Sequence, residues 1–361
     1  MAPTHTRGRI LFMVGVAVLL AGAFVPIRHA VAAGSHDEGS GFNSAGNLLI
    51  TDQFNNRAVE IDPKTRAIVW SFGSGNPTLC NPGPGAIIGL NDAERLSDGL
   101  TLLSGTGVPL GSSPVAPNFS CVDNRVIVVS HDGAIVWQYG QAGVTGSGPN
   151  ELNVPVFAIQ LPSRNIMIVD QGNNRVIEVD RFTKAVVWSY GALNNPNSAE
   201  LLPNGHILIA DENNNRVIEI TRGGQIVWQY GSGNPKVTHP LDFAAFASRL
   251  PNGDTLITDS GHSRIVEVTE DKHVVFEYFT NTASNSNPSP LPTNAVRLSN
   301  GDTSIADQFN HRAIIIDANK NLVFQYGVTN VPGNRRGLLD GPYTAFVIGD
   351  YTGQTPPPPN F

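Results

Sequence analysis

The sequence is poor in charge, in cysteine and in long apolar runs, and each shortage narrows the choice of protein class. Only 15% of its 361 residues are charged, against roughly 25% in an average soluble protein. Acidic residues number 30 and basic residues 23, which gives a net charge of −7. Proteins that bind nucleic acid by neutralising phosphates carry the opposite balance, so no nucleic-acid partner is expected.

The longest apolar stretch lies near the N-terminus and resembles a secretion signal. Arg7 and Arg9 precede 16 uncharged residues at positions 10–25, and small residues follow at positions 30–33. This stretch is shorter than the roughly 20 residues that span a bilayer as a stable helix. We predict a signal peptide over residues 1–32, export to the periplasm or the extracellular space, and no stable membrane span after cleavage. An uncleaved N-terminal anchor is the alternative.

The chain has only two cysteines, Cys80 and Cys121. In an oxidising compartment two such residues are expected to pair if the geometry allows it. Neither belongs to a Cys-x-x-Cys motif or has a histidine at ligand spacing, which speaks against a metal pair or a catalytic thiol. We therefore predict a disulfide bond between them.

Glycine and proline are plentiful, with 37 and 26 residues, and they punctuate a repeated unit. The clearest copy, residues 199–231, reads AELLPNGHILIADENNNRVIEITRGGQIVWQYG. Turn residues divide it into four runs that are rich in β-branched and aromatic residues and too short for helices. Each copy therefore predicts four short strands.

Six copies of this unit follow one another along the chain. An arginine opens the third strand of each copy, and these residues are Arg57, Arg125, Arg175, Arg216, Arg264 and Arg312. Four strands at intervals of 41 to 68 residues are typical of β-propeller blades. We predict an all-β fold, a six-bladed β-propeller of four-stranded antiparallel blades over residues 33–353.

The two ends of the repeat region predict how the ring closes. The first copy lacks a first strand of its own, and residues 343–348 resemble the first strand of a seventh copy. We predict that this C-terminal segment completes blade one, which leaves no open sheet edge between the first and last blades. Residues 354–361, with four consecutive prolines, are predicted to form an extended tail outside the fold.

The repeated motif Asp-x-x-Asn-x-Arg, followed by a Val-Ile-Glu-Ile type strand, resembles the NHL-repeat family of propellers. It is carried by DQFNNR (52–57), DQGNNR (170–175), DENNNR (211–216) and DQFNHR (307–312). The segments VEIDPKTRAIVWSFG and IEVDRFTKAVVWSYG are also similar to hairpins of quinoprotein-like and arylsulfotransferase-like propellers. The resemblance implies the fold, whereas propellers host many unrelated activities.

Residues that recur in most blades are interpreted as structural. The repeated aspartate and arginine flank one turn and should form a charge-assisted hydrogen bond across it. Fourth strands carry aromatic residues two apart, such as Trp137 and Tyr139, which should pack on one face against the next blade. Calcium binding by the aspartates and sugar stacking by the aromatic residues are the alternatives.

Residues that differ between blades, where the innermost strands begin, are the candidates for ligand binding. The predicted rim and channel comprise Asn91, Asp92, Arg95, Phe157, Arg249, Asn294, Arg297 and Tyr343. The three arginines are assigned to a water-filled channel, because an unpaired charge between packed blades is costly. There they would either pair with nearby glutamates or attract an anionic ligand.

A metal site for calcium or zinc is the alternative interpretation of the same face, and its candidate ligands are His239, Asp242, His262 and His311. Because these residues form no His-x-His or Glu-x-x-His pair, no cofactor is predicted. Amidating lyases that resemble the NHL family hold zinc with histidines at the innermost strand entries. The matching positions here are Asn91, Val156, Asn197, Ala245, Thr293 and Tyr343. An arylsulfotransferase-like channel histidine is also missing.

These observations favour a monomeric, exported binding or scaffolding module over an enzyme. Its protein partner, or a small ligand that is anionic if the channel is lined by arginine, would contact the face that carries Cys80 and Cys121. The second hypothesis is a channel-mouth enzyme, either a metal-dependent lyase or hydrolase or an arylsulfotransferase-like protein, that uses the rim histidines. A lectin that uses exposed aromatic residues is the third.

Overall fold

The computed structural model of the chain describes residues 41–233 and 240–359. The predicted signal peptide lies outside these residues, as does His239 of the alternative metal site. Within the described ranges, the strands form six four-stranded antiparallel sheets. Among the same residues, no helix is long and apolar enough to cross a membrane.

The first three blades follow the predicted order from the channel outwards. Blade one consists of β24 (Pro342–Val347), β1 (Leu48–Asp52), β2 (Arg57–Ile61) and β3 (Ile68–Gly73). Blade two consists of β4 (Leu90–Arg95), β5 (Thr101–Val108), β6 (Cys121–Val129) and β7 (Ile135–Tyr139). Blade three consists of β8 (Pro155–Gln160), β9 (Ile166–Asp170), β10 (Arg175–Val179) and β11 (Val186–Tyr190).

The other three blades repeat this pattern. Blade four consists of β12 (Ser198–Leu201), β13 (Ile207–Asp211), β14 (Arg216–Ile220) and β15 (Ile226–Gly231). Blade five consists of β16 (Ala244–Arg249), β17 (Thr255–Asp259), β18 (Arg264–Val268) and β19 (Val274–Phe279). Blade six consists of β20 (Asn294–Arg297), β21 (Thr303–Asp307), β22 (Arg312–Ile316) and β23 (Leu322–Gly327).

The ring closes as the sequence predicts. Strand β24 pairs antiparallel with β1, with Val347 opposite Leu48 and Ala345 opposite Ile50. The C-terminal strand thus supplies the innermost strand of blade one, and both partners contribute to one buried cluster. The six-bladed fold and its closure are confirmed.

The repeated Asp-x-x-Asn-x-Arg motif forms the turn between the second and third strands. In blade four, Asp211 Oδ2 accepts hydrogen bonds from Arg216 Nε at 2.7 Å and from Asn214 Nδ2 at 2.8 Å. Its Oδ1 accepts from the backbone N–H of Asn194 in the blade-to-blade connection, at 2.8 Å. The carboxylate therefore ties the turn to the connection, which confirms the structural interpretation. Short 3-10 helices form these turns at Gln53–Asn55, Gln171–Asn173, Glu212–Asn214 and Gln308–Asn310.

In blades one to four, a tryptophan of the fourth strand joins the blade to the next one. Trp70 Nε1 donates to the carbonyl of His131 in blade two at 2.9 Å. Trp137 donates in the same way to Arg181 of blade three at 2.8 Å. Both rings are buried, so each contributes roughly 2–3 kcal/mol of apolar burial besides its hydrogen bond. The predicted packing of these aromatic residues against the next blade is confirmed.

Candidate functional site

The centre of the ring is a narrow cavity whose walls come from alternate residues of the innermost strands. Period two places the residues on either side of each recurrent alanine on the same face of its strand. The cavity is lined by Asp92, Glu94, Phe157, Ile159, Glu200, Phe246 and Phe346 from five blades, with Gln354, Thr355 and Pro356. The rings of Phe157 and Phe246 meet edge to face, with centroids 5.7 Å apart. Carboxylic acids and phenyl rings therefore dominate the channel.

Tyr343 closes the channel on the face that carries the second-to-third strand turns and the disulfide, here called the disulfide face. Its hydroxyl lies 2.9 Å from Nδ2 and 3.0 Å from Oδ1 of Asn197. Tyr343 belongs to blade one and Asn197 to blade four, which stand opposite each other in a ring of six. Asn197 Nδ2 also donates to Glu212 Oε2 at 2.8 Å. Hydrogen bonds between Tyr343, Asn197 and Glu212 thus cross the mouth of the channel.

The C-terminal tail closes the other end of the channel, on what we call the tail face. Thr355 Oγ1 donates to Glu200 Oε2 at 2.8 Å, and Gln354 is buried. The carbonyl of Pro359 accepts from the backbone N–H of Ser97 at 3.4 Å. The expectation that residues 354–361 form a tail outside the fold is therefore wrong for residues 354–359. Proline runs are extended and inexpensive to order, and here the run lies across the ring.

Burial makes the carboxyls of the channel weak acids. Desolvation raises the pKa of Asp92 to about 7 and that of Glu200 to about 8. The pKa of Glu94 also rises well above its usual value, first through burial and then through the nearby charges of Asp92 and Glu200. Burial likewise raises the pKa of Glu212 at the mouth to about 7. The channel is acidic in composition, whereas the sequence predicts an arginine lining.

Arg95, Arg249 and Arg297 lie between blades, which corrects their assignment to the channel. Arg95 pairs with Glu60 of blade one at 2.8 Å and stacks over Trp70 at 4.7 Å. Arg249 and Arg297 repeat the arrangement, each with a glutamate and an aromatic ring of the preceding blade. The expectation failed because it assumed that a charge between blades has no partner. A glutamate on the third strand of the preceding blade supplies that partner. The channel glutamates, Glu94 and Glu200, do not pair with these arginines.

His311 has a structural hydrogen bond. Its Nδ1 accepts from the backbone N–H of Gly341 at 3.1 Å, as Asn56 Oδ1 accepts from Gly89 N–H at 2.9 Å in blade one. Burial lowers the pKa of His311 to about 4, so the ring is neutral. The Asp340 carboxylate, 3.4 Å away, therefore faces an uncharged imidazole. His311 occupies the left-handed position, with φ of 55°, that asparagine fills in most other blades.

His262 also takes the place of an asparagine. Its Nδ1 lies 2.9 Å from Asp259 Oδ2, the carboxylate that the motif asparagine contacts in the other blades, and Arg264 binds the same oxygen at 2.6 Å. Asp242 uses its backbone N–H to bind Asp259 Oδ1 at 2.7 Å. Across residues 41–233 and 240–359, no group of three or more histidine, cysteine or acidic side chains has the geometry of a metal site.

A disulfide-anchored insertion rises from the disulfide face. Cys80 and Cys121 are bonded, which confirms their predicted pairing and joins the connection after blade one to the insertion at residues 109–120. Ser113 Oγ donates to Asp340 Oδ2 at 2.7 Å, so the insertion reaches the connection between blades six and one. Phe119 packs on a cluster that contains Phe54. The insertion is therefore fixed at three points.

Apolar side chains project from these bonded segments. Leu79 and Val122, which flank the two cysteines, are 37% and 42% exposed, and Leu110 and Val115 of the insertion are 70% and 39% exposed. Apolar side chains on a rigid surface favour contact with another molecule. This surface, defined by Leu79, Leu110, Val115 and Val122, is called the apolar insertion surface below.

The predicted rim residues divide into two groups. Asn91, Asp92, Phe157, Asn294 and Tyr343 lie in the channel or at its mouth, whereas the three arginines do not. Gln53 Nε2 donates to Asn91 Oδ1 at 3.2 Å, and Asn294 Oδ1 accepts from Ala345 N–H at 3.4 Å. From the sequence, Glu94 and Glu200 are expected only as ion-pair partners of the channel arginines, and Thr355 is given no role, whereas all three line the cavity. Period two along β4 and β12 could have identified the two glutamates, because each follows the recurrent alanine directly.

A family model described as outer membrane protein assembly factor BamB matches residues 122–322, which is more than half of the chain. The chain belongs to this BamB-like β-propeller family. The BamB-like match runs from β6 of blade two to the start of β23 in blade six. No curated protein sequence matches the chain significantly. The family and the disulfide both fit an extracytoplasmic protein.

Solved structures share the fold at low sequence identity. A Bacteroides caccae protein of unknown function is 17% identical with a TM-score of 0.55, covering 78% of this chain and 93% of its own. Virginiamycin B lyase from Staphylococcus aureus is 14% identical with a TM-score of 0.50, covering 79% and 82%. A chain of the nidogen/laminin complex is 11% identical with a TM-score of 0.51, covering 77% and 92%. At these identities the likeness is one of fold alone.

Proposed function

We propose that the chain is an exported, NHL-like propeller that binds a partner protein through the apolar insertion surface and acts as a non-catalytic scaffolding module. The observation that carries the proposal is the combination of exposed Leu110 and Val115 with an insertion held by the disulfide and by Ser113. A rigid apolar surface loses little conformational entropy when a partner covers it. Apolar anchors of this kind dominate many protein interfaces.

Two further observations support this assignment. Hydrogen bonds of Tyr343 and of the tail cross the two ends of the channel, so a macromolecular partner would contact the outer surface, where the disulfide face carries the apolar insertion surface. The family description names an assembly factor, and assembly factors work through contacts with other proteins. The net charge of −7 disfavours a polyanionic partner.

Site-specific photo-crosslinking tests the proposal. A photoreactive phenylalanine analogue replaces Leu110, and a matched control replaces Asn252, which is exposed in the turn after β16 on the tail face. In cells that export the protein, we expect a discrete protein adduct from position 110 and none from position 252. Replacing Val115 with aspartate in the Leu110 variant should reduce the adduct several-fold. Adducts from position 252 alone would place the interface on the tail face and contradict the proposal.

A further inference from the structure

Three carboxyl groups face one another in the channel without a cationic partner. Asp92, Glu94 and Glu200 are between 2% and 4% exposed. Within the described residues none of the three forms an ion pair, and the arginines of neighbouring strands pair with glutamates between the blades. Buried charges without partners are costly. The cavity thus contains either three negative charges close together or carboxyls that are neutralised by protons.

One oxygen of the Asp92 carboxyl has no hydrogen-bond donor within bonding distance, although the nearby Thr344 hydroxyl lowers the pKa of this carboxyl. Asp92 Oδ2 accepts from the backbone N–H of Ala158 at 3.1 Å, whereas the buried Asp92 Oδ1 has no hydrogen-bond donor. Asp92 lines the cavity. A buried acceptor left unpaired usually indicates a missing donor, because desolvation without a hydrogen bond is unfavourable.

The remaining walls select the kind of donor. Phe157, Phe246 and Phe346 line the same cavity, and the faces of aromatic rings attract cations. Divalent calcium takes six to eight oxygen ligands, and across residues 41–233 and 240–359 no group of three or more acidic side chains has the geometry of a metal site. A primary ammonium group carries three N–H donors and one charge. Its three N–H groups match the three carboxyls of Asp92, Glu94 and Glu200, and its charge suits the surrounding phenyl rings.

We propose that this cavity is a binding site for a small primary ammonium ion and that residues 354–356 occlude its entrance on the tail face. Thr355 occupies one acceptor of the site by donating to Glu200. Gly353 lets the tail approach closely, since a Cβ at this position would lie 2.7 Å from the backbone nitrogen of Arg297. Displacing the tail frees Glu200 and opens the cavity. The proposal does not depend on the partner-binding function assigned to the disulfide face.

Methylammonium chloride is the probe, and sodium chloride at equal ionic strength is its control. In a chain that ends at Gly353, we expect methylammonium to raise the midpoint of thermal unfolding by about 2 °C more than sodium does. The full chain should show a smaller difference because the tail competes. The variant Asp92→Asn should remove the difference, whereas Glu212→Gln, which neutralises a half-buried carboxyl outside the cavity, should keep it.

A second measurement covers the case in which the truncated chain does not fold. Cation binding lowers the pKa of neighbouring carboxyls and releases protons, so the full chain in weak buffer near neutral pH should acidify on addition of methylammonium. Asp92→Asn should reduce this release and Glu212→Gln should not. Equal responses to methylammonium and sodium in both measurements would overturn the proposal. So would a calcium response that exceeds the methylammonium response and disappears in Asp92→Asn.

Discussion

At the residue scale, histidine and asparagine make equivalent hydrogen bonds in the turns of this protein. His311 accepts the backbone N–H of Gly341 through Nδ1, and Asn215 accepts that of Phe243 through Oδ1. His262 contacts the turn aspartate as the motif asparagine does in other blades. Two of the candidate metal ligands are thus accounted for by the hydrogen bonds of their turns.

His311→Asn should therefore fold and retain its stability within about 1 kcal/mol at neutral pH, because the acceptor is preserved. His311→Leu should lose about 1–3 kcal/mol, since it leaves the buried N–H of Gly341 unpaired. The measurement is urea unfolding followed by tryptophan fluorescence. A stability of His311→Asn as low as that of His311→Leu would contradict this role.

The same variants give a pH signature with a defined sign. The pKa of His311 is about 4 in the folded chain and 6.5 ordinarily, so the unfolded chain binds the extra proton more readily between these values. The native protein should lose stability as pH falls from 6.5 towards 4. In His311→Asn this part of the decline should vanish. An unchanged decline would mean that His311 titrates normally.

Residue-scale prediction from the sequence succeeded where repetition revealed a role and failed where pairing depended on contacts between blades. Asp211 and Arg216 recur as a pair across one turn, so their hydrogen bond could be foreseen. The partner of Arg95 is Glu60, which lies 35 residues away in the preceding blade. The alanine two residues before Arg95 does face blade one, and period two could have assigned the arginine to that interface.

At the element scale, β24 and the tail that follows it have different structural roles. Strand β24 pairs with β1 along most of its length and closes the ring, whereas residues 354–359 cover the channel. Both are C-terminal, yet only the first contributes backbone hydrogen bonds to a sheet. Ring closure could be predicted because the segment matches a strand of the repeat. The position of the tail on the ring could not be predicted, because a proline run carries no pattern that identifies its contact surface.

Deleting residues 343–361 should abolish the cooperative fold, because blade one loses its innermost strand and β1 becomes an open edge. A chain that ends at Gly353 keeps β24 and is the matched control, which should remain folded and monomeric. Circular dichroism with thermal unfolding and light scattering compares the two. A soluble monomer with an unchanged unfolding midpoint after the longer deletion would show that β24 does not close the ring.

At the scale of the whole molecule, the protein is a ring whose channel is closed at both ends. Tyr343 and Asn197 bridge opposite blades at one mouth, and Thr355 occupies the other. The sequence predicted the ring and the variable rim. The hydrogen bonds across the channel, however, join residues that are 146 and 155 positions apart, and no local sequence pattern predicts such contacts. Closure confines partner binding to the outer surface and makes the buried carboxyls a separate, occluded site.

Labelling of a single cysteine inside the channel tests this closure most directly. Ile159 lines the cavity, and the described part of the chain has no free cysteine, so Ile159→Cys provides one reactive thiol. A small thiol reagent should label it at least about tenfold more slowly in the full chain than in a chain ending at Gly353, because rates follow the population of the open form. Equally fast labelling of both chains would show that the tail does not close the channel.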